Sequence, residues 1–159
     1  MADVLHAKEL RLSYGECDPA GIVYYTTYYE WMERVHTEWA YLAGVRSDQQ
    51  AERWGVSIVS RASSAEYLTS PRLHDLLRCE MRLDRLGTTS YTVRCDFRRL
   101  ADDALVCVSR LTLVFIDADG RPQPVPEPMR ALLQGGAVAG GGEAGATGGE
   151  PARGEAAAG

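Results

Sequence analysis

The sequence contains little lysine and no long uninterrupted apolar run. Its lysines and arginines number 17, and only Lys8 is a lysine, so a site for an anion must use arginine side chains, backbone N–H groups or a helix end. No apolar run approaches the roughly 18 residues that cross a membrane, and the first residues lack the basic and apolar regions of a signal peptide. The net charge of -5 is unlike that of nucleic-acid-binding proteins, which need an excess of basic side chains. We therefore expect a cytoplasmic protein that binds neither a membrane nor a nucleic acid.

Cysteine and histidine are also scarce, and their spacing excludes several kinds of site. The four cysteines contain no C-x-x-C pair, and three of them fall at apolar positions of predicted strands, so we expect buried free thiols. They are Cys17, Cys79, Cys95 and Cys107. The three histidines lack the spacing of metal ligands, and the G-x-S-x-G and G-x-x-x-x-G-K motifs are absent. We expect no metal, no cofactor, no serine nucleophile and no nucleotide-binding loop.

The composition changes near residue 134. Residues 1–133 carry the apolar side chains of a single core, whereas residues 134–159 consist mainly of Gly, Ala and Glu and hold ten of the 16 glycines. Such a segment buries too little apolar surface to offset the entropy of ordering it. We predict one folded domain over residues 1–133 and a disordered tail over residues 134–159.

One helix and five strands are predicted within this domain. Apolar side chains recur at spacings of three and four over residues 27–45, which is typical of an amphipathic helix, with Thr27 and Glu30 as a capping box and Gly44 as its end. Alternating apolar and polar residues predict strands over residues 9–14, 56–68, 77–84, 91–98 and 105–116. The economical packing is an α+β fold in which one antiparallel sheet wraps around the helix.

The loop before the helix has the most unusual composition. It reads Gly-Glu-Cys-Asp-Pro-Ala-Gly-Ile-Val-Tyr-Tyr over residues 15–25, and Pro19 and Gly21 restrict the backbone around Asp18. Backbone N–H groups at the helix start could polarise a thioester carbonyl while Asp18 attacks it or activates water. Local signals alone favour a simpler interpretation, in which Asp18 closes an Asx turn. The nearby tyrosines and Trp31 fit either a core or the lining of an acyl pocket.

Residues 14–25, followed by Tyr28, Trp31 and Glu38, resemble the opening of the 4-hydroxybenzoyl-CoA thioesterase family. The strand order that follows resembles the hot-dog fold of that family through about Leu133. The resemblance implies that one long helix is wrapped by a five-stranded antiparallel sheet. It also implies hydrolysis of an acyl-CoA or aroyl-CoA thioester to the free acid and a thiol, without a metal.

The resemblance also assigns roles to individual residues. Asp18 matches the catalytic carboxylate of the family, which acts as nucleophile or general base, and Tyr25 matches the residue whose backbone N–H binds the oxyanion. Glu33 matches the carboxylate that holds the phenol of an aromatic substrate. The residues expected to border the acyl group are Tyr24, Tyr28 and Trp31.

The family binds the CoA phosphates with a basic turn between two strands, and here that turn differs. Residues 86–90 of this chain carry no basic side chain, and only Arg85 lies beside them. This leaves two substrates open: a CoA thioester, or a polyketide or fatty acyl chain on an acyl carrier protein. A non-catalytic binding or scaffold protein is a further alternative. The family builds its sites between subunits, which implies a homodimer or homotetramer, and the open edge of a five-stranded sheet gives a physical motive for pairing.

Overall fold

The computed structural model describes residues 3–135, and these form the predicted α+β fold. One five-stranded antiparallel sheet has the strand order β1-β3-β4-β5-β2 and packs against a long helix. The strands are β1 (Val4–Arg11), β2 (Ser57–Tyr67), β3 (Leu76–Leu86), β4 (Ser90–Arg99) and β5 (Ala104–Ile116). The helices are α1 (Thr27–Leu42), α2 (Gln50–Trp54) and α3 (Glu127–Leu133). The predicted tail over residues 134–159 lies almost wholly outside the described residues.

The core lies between α1 and one face of the sheet. Strand β4 buries every second side chain, and β3 does the same over its first half, because alternate residues of a strand point to opposite faces. Helix α1 contributes the apolar stripe that the sequence predicts, with Trp31, Met32 and Val35 almost inaccessible to solvent. The thiols of Cys79, Cys95 and Cys107 are buried as predicted, while Cys17 is half-buried.

The core also contains a buried polar pair. The Nε2 atom of His36 on α1 lies 2.7 Å from the hydroxyl oxygen of Tyr91 on β4. The His36 residue is 7% exposed and Tyr91 is 1% exposed. Each side chain therefore satisfies the other inside the apolar layer between the helix and the sheet.

The boundaries of two elements differ from the predictions. Helix α1 ends at Leu42, before the end of the predicted segment at residue 45. Gly44 stops the helix as predicted, because it adopts a positive φ of 78° that a continuing helix does not allow. Its N-cap is Thr26, without a side-chain cap, so the predicted capping box of Thr27 and Glu30 is wrong. Strand β1 spans residues 4–11 and not 9–14, since the chain turns at Tyr14 into a short 3-10 helix. Helices α2 and α3 are short, and the sequence analysis did not predict them.

The two edges of the sheet are β1 and β2. Strand β2 is eleven residues long and mostly exposed, and Val59, Tyr67 and Leu68 present large apolar side chains to solvent at or next to this edge. Over residues 3–135, the structure has no helix with the length and hydropathy needed to cross a membrane.

Candidate active site

The loop between β1 and α1 folds into a tight turn around Asp18. The Asp18 N–H donates to the Ile22 carbonyl at 2.9 Å, and the Gly21 N–H donates to the Asp18 carbonyl at 2.9 Å. Gly21 has a φ of +72°, a conformation that favours glycine. An antiparallel bridge between Cys17 and Val23 closes the base of the turn. The Asp-Pro-Ala-Gly sequence therefore fixes the backbone that carries the Asp18 side chain.

The two oxygens of the Asp18 carboxylate have different surroundings. Oδ1 accepts a hydrogen bond from the Ala20 N–H at 2.8 Å and a longer one from the Ile22 N–H at 3.5 Å. This is the Asx turn that the sequence allows. Within residues 3–135, Oδ2 accepts no hydrogen bond from the protein. The half-buried carboxylate is thus held by one oxygen and offers the other to a ligand.

The segment that leads into helix α1 contains a backbone donor without an acceptor in the described chain, at Tyr25 just before the N-cap Thr26. The Tyr24 N–H donates to the Glu16 carbonyl at 2.8 Å, and the Thr27 N–H donates to the Tyr24 carbonyl at 3.0 Å. The Tyr25 N–H donates no hydrogen bond to any described residue. The N–H groups at a helix start carry partial positive charge, so such a donor is suited to a carbonyl oxygen that gains negative charge.

Asp18 and Tyr25 line one cavity, which has a volume of about 200 Å³. The walls are mostly aromatic and aliphatic, and they combine the loop, the start of α1 and the end of β2. The lining residues are Asp18, Ile22, Val23, Tyr24, Tyr25, Tyr28, Tyr67, Thr69 and Ser70. The cavity is therefore lined by a carboxylate residue, by a residue whose backbone donor is unpaired within residues 3–135 and by apolar side chains, which are the kinds of group that acyl transfer needs.

Four tyrosines contribute to the wall of this cavity: Tyr24, Tyr25, Tyr28 and Tyr67. Burial raises the pKa of Tyr28 far above its ordinary value. Partial desolvation, together with the neighbouring Tyr29, raises the pKa of Tyr67 to about 12. The Tyr67 hydroxyl donates to the Tyr25 carbonyl at 3.3 Å, and the Tyr28 and Tyr67 rings lie 5.6 Å apart. A hydrogen bond with Tyr25 raises the pKa of Tyr24, and the centroids of these two rings lie 4.8 Å apart. The raised pKa values keep the phenols of Tyr24, Tyr28 and Tyr67 neutral at neutral pH.

Asp18 also lines a second cavity. It has a volume of about 400 Å³, and Tyr14 in its wall is 85% exposed. Its lining residues are Tyr14, Cys17, Asp18, Pro19, Gly21 and Leu73. Asp18 therefore borders two spaces, either of which could hold a substrate group or water.

The structure brings together some of the residues predicted for the site and separates others. Asp18, Tyr24, Tyr25 and Tyr28 line the first cavity. Trp31 does not line it, because its ring is buried in the core and its Nε1–H donates to Glu16 Oε1 at 2.9 Å. Glu33 lies on the exposed side of α1, where its carboxylate accepts a hydrogen bond from Thr37 at 2.6 Å.

Three residues of the first cavity were missed by the sequence analysis. Tyr67, Thr69 and Ser70 lie at and just beyond the end of β2, about fifty positions along the chain from Asp18. The Val23 N–H bonds the Pro71 carbonyl at 3.2 Å, which joins the two segments. No local pattern signals this long-range contact.

Arg85 lies in a separate cleft of about 320 Å³. Arg61 of β2 lines the same cleft, together with the hydroxyl-bearing Thr89 of the β3–β4 turn and Ser90 at the start of β4. Neither Arg61 nor Arg85 forms an ion pair with another described residue. Two such guanidinium groups beside hydroxyls form a site suited to an anion. Across residues 3–135, no group of His, Cys, Asp and Glu side chains is arranged to hold a metal ion.

Comparison with known proteins identifies the class. The model of the thioesterase-like superfamily matches residues 12–133, so the chain belongs to this superfamily. The chain is therefore a thioester hydrolase, and the resemblance of its loop and helix to the 4-hydroxybenzoyl-CoA thioesterases is confirmed. The sequence has no significant match among curated proteins.

Several solved structures share the fold. The 4-hydroxybenzoyl CoA thioesterase of Pseudomonas sp. strain CBS-3 is 25% identical, with a TM-score of 0.72 over 79% of this chain and 96% of that chain. A thioesterase-superfamily protein of Jannaschia sp. CCS1 is also 25% identical, with a TM-score of 0.71 over 84% and 93% of the two chains. The 1,4-dihydroxy-2-naphthoyl-CoA thioesterase of Synechocystis is 12% identical, with a TM-score of 0.75 over 80% and 94%. These similarities confirm the predicted hot-dog architecture.

Proposed function

We propose that this thioester hydrolase cleaves an acyl-CoA or aroyl-CoA thioester to the free acid and the CoA thiol. One observation carries the proposal: Asp18 and Tyr25 line the same cavity, and the Tyr25 N–H has no acceptor among the described residues. The names of two structural neighbours, which act on 4-hydroxybenzoyl-CoA and 1,4-dihydroxy-2-naphthoyl-CoA, support an aroyl group.

In the proposed reaction the thioester carbonyl oxygen accepts a hydrogen bond from the Tyr25 N–H. Asp18 then acts through its available Oδ2 atom in one of two ways. As a nucleophile it attacks the carbonyl carbon, the thiolate leaves, and water hydrolyses the resulting mixed anhydride. As a general base it takes a proton from water while the water oxygen attacks the same carbon. In both cases the Tyr25 N–H stabilises the charge that develops on the carbonyl oxygen.

The acyl group is assigned to the tyrosine-lined cavity. Tyr24, Tyr28 and Tyr67 offer aromatic surface and no formal charge, which suits an aryl or short apolar acyl group. Trp31 and Glu33 are not assigned to acyl binding, because neither borders this cavity.

The cleft that contains Arg61 and Arg85 is assigned to the phosphates of CoA. This assignment separates the two candidate substrates, because a carrier-bound thioester lacks the nucleotide phosphates. With a CoA ester, Arg85→Ala is expected to raise KM about tenfold, which corresponds to about 1.4 kcal/mol of lost binding. With the pantetheine ester of the same acyl group, KM should stay the same. An equal rise for both esters would refute the phosphate assignment.

The carrier-protein alternative rests on the β3–β4 turn, whose residues 86–90 have no basic side chain. Turnover of one acyl group, loaded once on CoA and once on an acyl carrier protein, compares the two substrates directly. A kcat/KM at least tenfold higher for the carrier-bound form would favour release of a polyketide or fatty acyl chain.

A homodimer or homotetramer is proposed from the sheet edge. Strand β2 leaves its outer backbone without a partner strand in the described chain, and Tyr67 at its end lines the cavity. A second copy that paired with β2 would therefore lie beside the site. Light scattering coupled to size exclusion measures the mass, and a monomer at assay concentrations would contradict this part of the proposal.

The main test measures thiol release from a panel of aryl-CoA and straight-chain acyl-CoA esters. Asp18→Asn is expected to lower kcat on the order of a hundredfold or more, because it removes the negative charge of the carboxylate. Asp48→Asn is the matched control, since Asp48 is an exposed aspartate that pairs with Arg46 outside both cavities. If Asp18→Asn keeps the wild-type kcat, Asp18 is not the catalyst. If no CoA ester and no carrier-bound ester turns over, the scaffold alternative holds.

A further inference from the structure

Glu16 links two segments around the active site through its carboxylate. Oε1 accepts a hydrogen bond from Trp31 Nε1 at 2.9 Å. Oε2 accepts from the Ser13 N–H at 2.8 Å and from the Ser13 hydroxyl at 2.7 Å. Burial raises the pKa of Glu16 but the hydrogen bonds from Ser13 and Trp31 lower it more, so the net pKa lies below the ordinary value. The side chain is therefore an ionised link between the end of β1 and the first turns of α1.

The backbone of Glu16 holds the same region from a second direction. Its carbonyl accepts the Tyr24 N–H at 2.8 Å and, at 3.5 Å, the Thr27 hydroxyl. Tyr24 directly precedes Tyr25, and Asp18 follows Glu16 by two positions. Asp18 is thus connected to Glu16 through the covalent chain. Tyr25 is connected to Glu16 through the hydrogen bond of its neighbour Tyr24.

We infer that Glu16, held by Trp31, is a positioning residue that sets the separation between the Asp18 carboxylate and the Tyr25 N–H. The inference rests on the proposed function, in which these two groups act on one carbonyl. Trp31 then contributes to the reaction from the core, through Glu16, and does not touch the acyl group. A misplacement of about 1 Å between reacting groups can lower a rate on the order of a hundredfold, so a small shift of this link has a large effect.

The test compares Glu16→Ala, Glu16→Gln and Trp31→Phe in steady-state thiol release. Glu16→Ala is expected to lower kcat about tenfold to a hundredfold while KM changes less than about threefold. Glu16→Gln keeps an oxygen that can accept from Trp31 Nε1, so it should recover most of kcat. Trp31→Phe keeps an aromatic ring but removes the donor, and kcat should fall in the same direction as for Glu16→Ala.

A double mutant separates positioning from a general loss of structure. In the Asp18→Asn background, Glu16→Ala should cost several-fold less than in the wild-type background, because groups that act as one unit are not additive. Glu38→Ala is the matched control, since Glu38 also ties α1 to β1, through Lys8 at 2.6 Å, but outside the site. Its kcat should equal that of the wild type. An equal loss from Glu16→Ala in both backgrounds would overturn the inference.

The link itself has a readout that does not depend on turnover. In a ¹⁵N–¹H correlation spectrum, Glu16→Ala should shift the Trp31 indole signal and the Tyr25 amide signal, while the indole signals of Trp39 and Trp54 stay in place. Trp31→Phe assigns the indole signal by deleting it. Unchanged Trp31 and Tyr25 signals would overturn the inference, and so would turnover that Glu16→Ala leaves unaltered. A wild-type protein that hydrolyses no thioester would instead overturn the proposed function and, with it, the inference.

Discussion

The buried pair of His36 and Tyr91 predicts a specific loss of stability in mild acid. Burial lowers the pKa of His36 from 6.5 to about 4. Burial also raises the pKa of Tyr91, so its hydroxyl stays protonated throughout this range. Between the two values for His36, the unfolded chain binds a proton that the folded chain does not bind. The free energy of unfolding therefore keeps the whole contribution of the neutral His36 above pH 6.5. It decreases as the pH falls towards 4.

The two pKa values set the size of this effect. Between about pH 7.5 and pH 5, the proton that the unfolded His36 gains should lower the free energy of unfolding by about 2 kcal/mol. The ordinary pKa values of Asp and Glu lie below this window, so most of their pH dependence falls outside it. His36→Gln removes the imidazole and keeps a polar partner for the Tyr91 hydroxyl.

Urea unfolding at both pH values, at one protein concentration, measures the effect. The wild type should lose about 2 kcal/mol more than His36→Gln on acidification. The variant must unfold cooperatively at the higher pH for the comparison to hold. Equal losses in the two proteins would refute the argument, because they would place the proton uptake elsewhere in the chain.

Three further predictions concern packing, backbone strain and the cavity wall. Met32→Ala should lower the free energy of unfolding, measured in urea, by about 2 to 5 kcal/mol, because Met32 is 1% exposed in the core. A decrease of less than about 1 kcal/mol would contradict this burial. Gly21→Ala should lower the stability by about 1 kcal/mol, measured as a fall in Tm. The loss comes from the φ of +72° alone, since an added Cβ meets no atom within 4 Å, and an unchanged Tm would refute this backbone strain. Tyr67→Phe should keep kcat/KM within about threefold of the wild type, whereas Tyr67→Ala should lower it about tenfold or more. Equal values for the two variants would mean that the Tyr67 ring does not contact the acyl group.

Much of the fold follows from the period of the apolar residues. The alternation around Cys79 and Cys95 and the three-to-four spacing around Trp31 predict the sheet face and the helix face that meet in the core. The strand ends were less predictable, as β1 shows, because its residues 4–8 alternate weakly and are held mainly by pairing with β3. Helices α2 and α3 have five and seven residues, too few for a periodic pattern to stand out.

The candidate site was predictable where it is local in sequence. Asp18, Tyr24, Tyr25 and Tyr28 lie within eleven consecutive residues, and the turn and helix start bring them together. Tyr67 could not be found in this way, since it reaches the cavity only because β2 ends beside the loop. Helical spacing predicts that Trp31 is buried and Glu33 exposed, and both are so. It does not show that neither side chain borders the cavity, because that depends on how α1 packs beside the loop and β2.

The two interpretations of Asp18 that the sequence leaves open are compatible, because they use different oxygens. Oδ1 closes the Asx turn through the Ala20 N–H, and Oδ2 is the atom assigned to the thioester or to water. Asparagine keeps an oxygen that can accept from Ala20, whereas alanine removes both atoms. Asp18→Asn should therefore lose activity with an unchanged Tm, and Asp18→Ala should lose activity and about 1 kcal/mol of stability as well. A fall in Tm for Asp18→Asn as large as that for Asp18→Ala would mean that the charge of Asp18, and not only its turn-forming oxygen, maintains the loop.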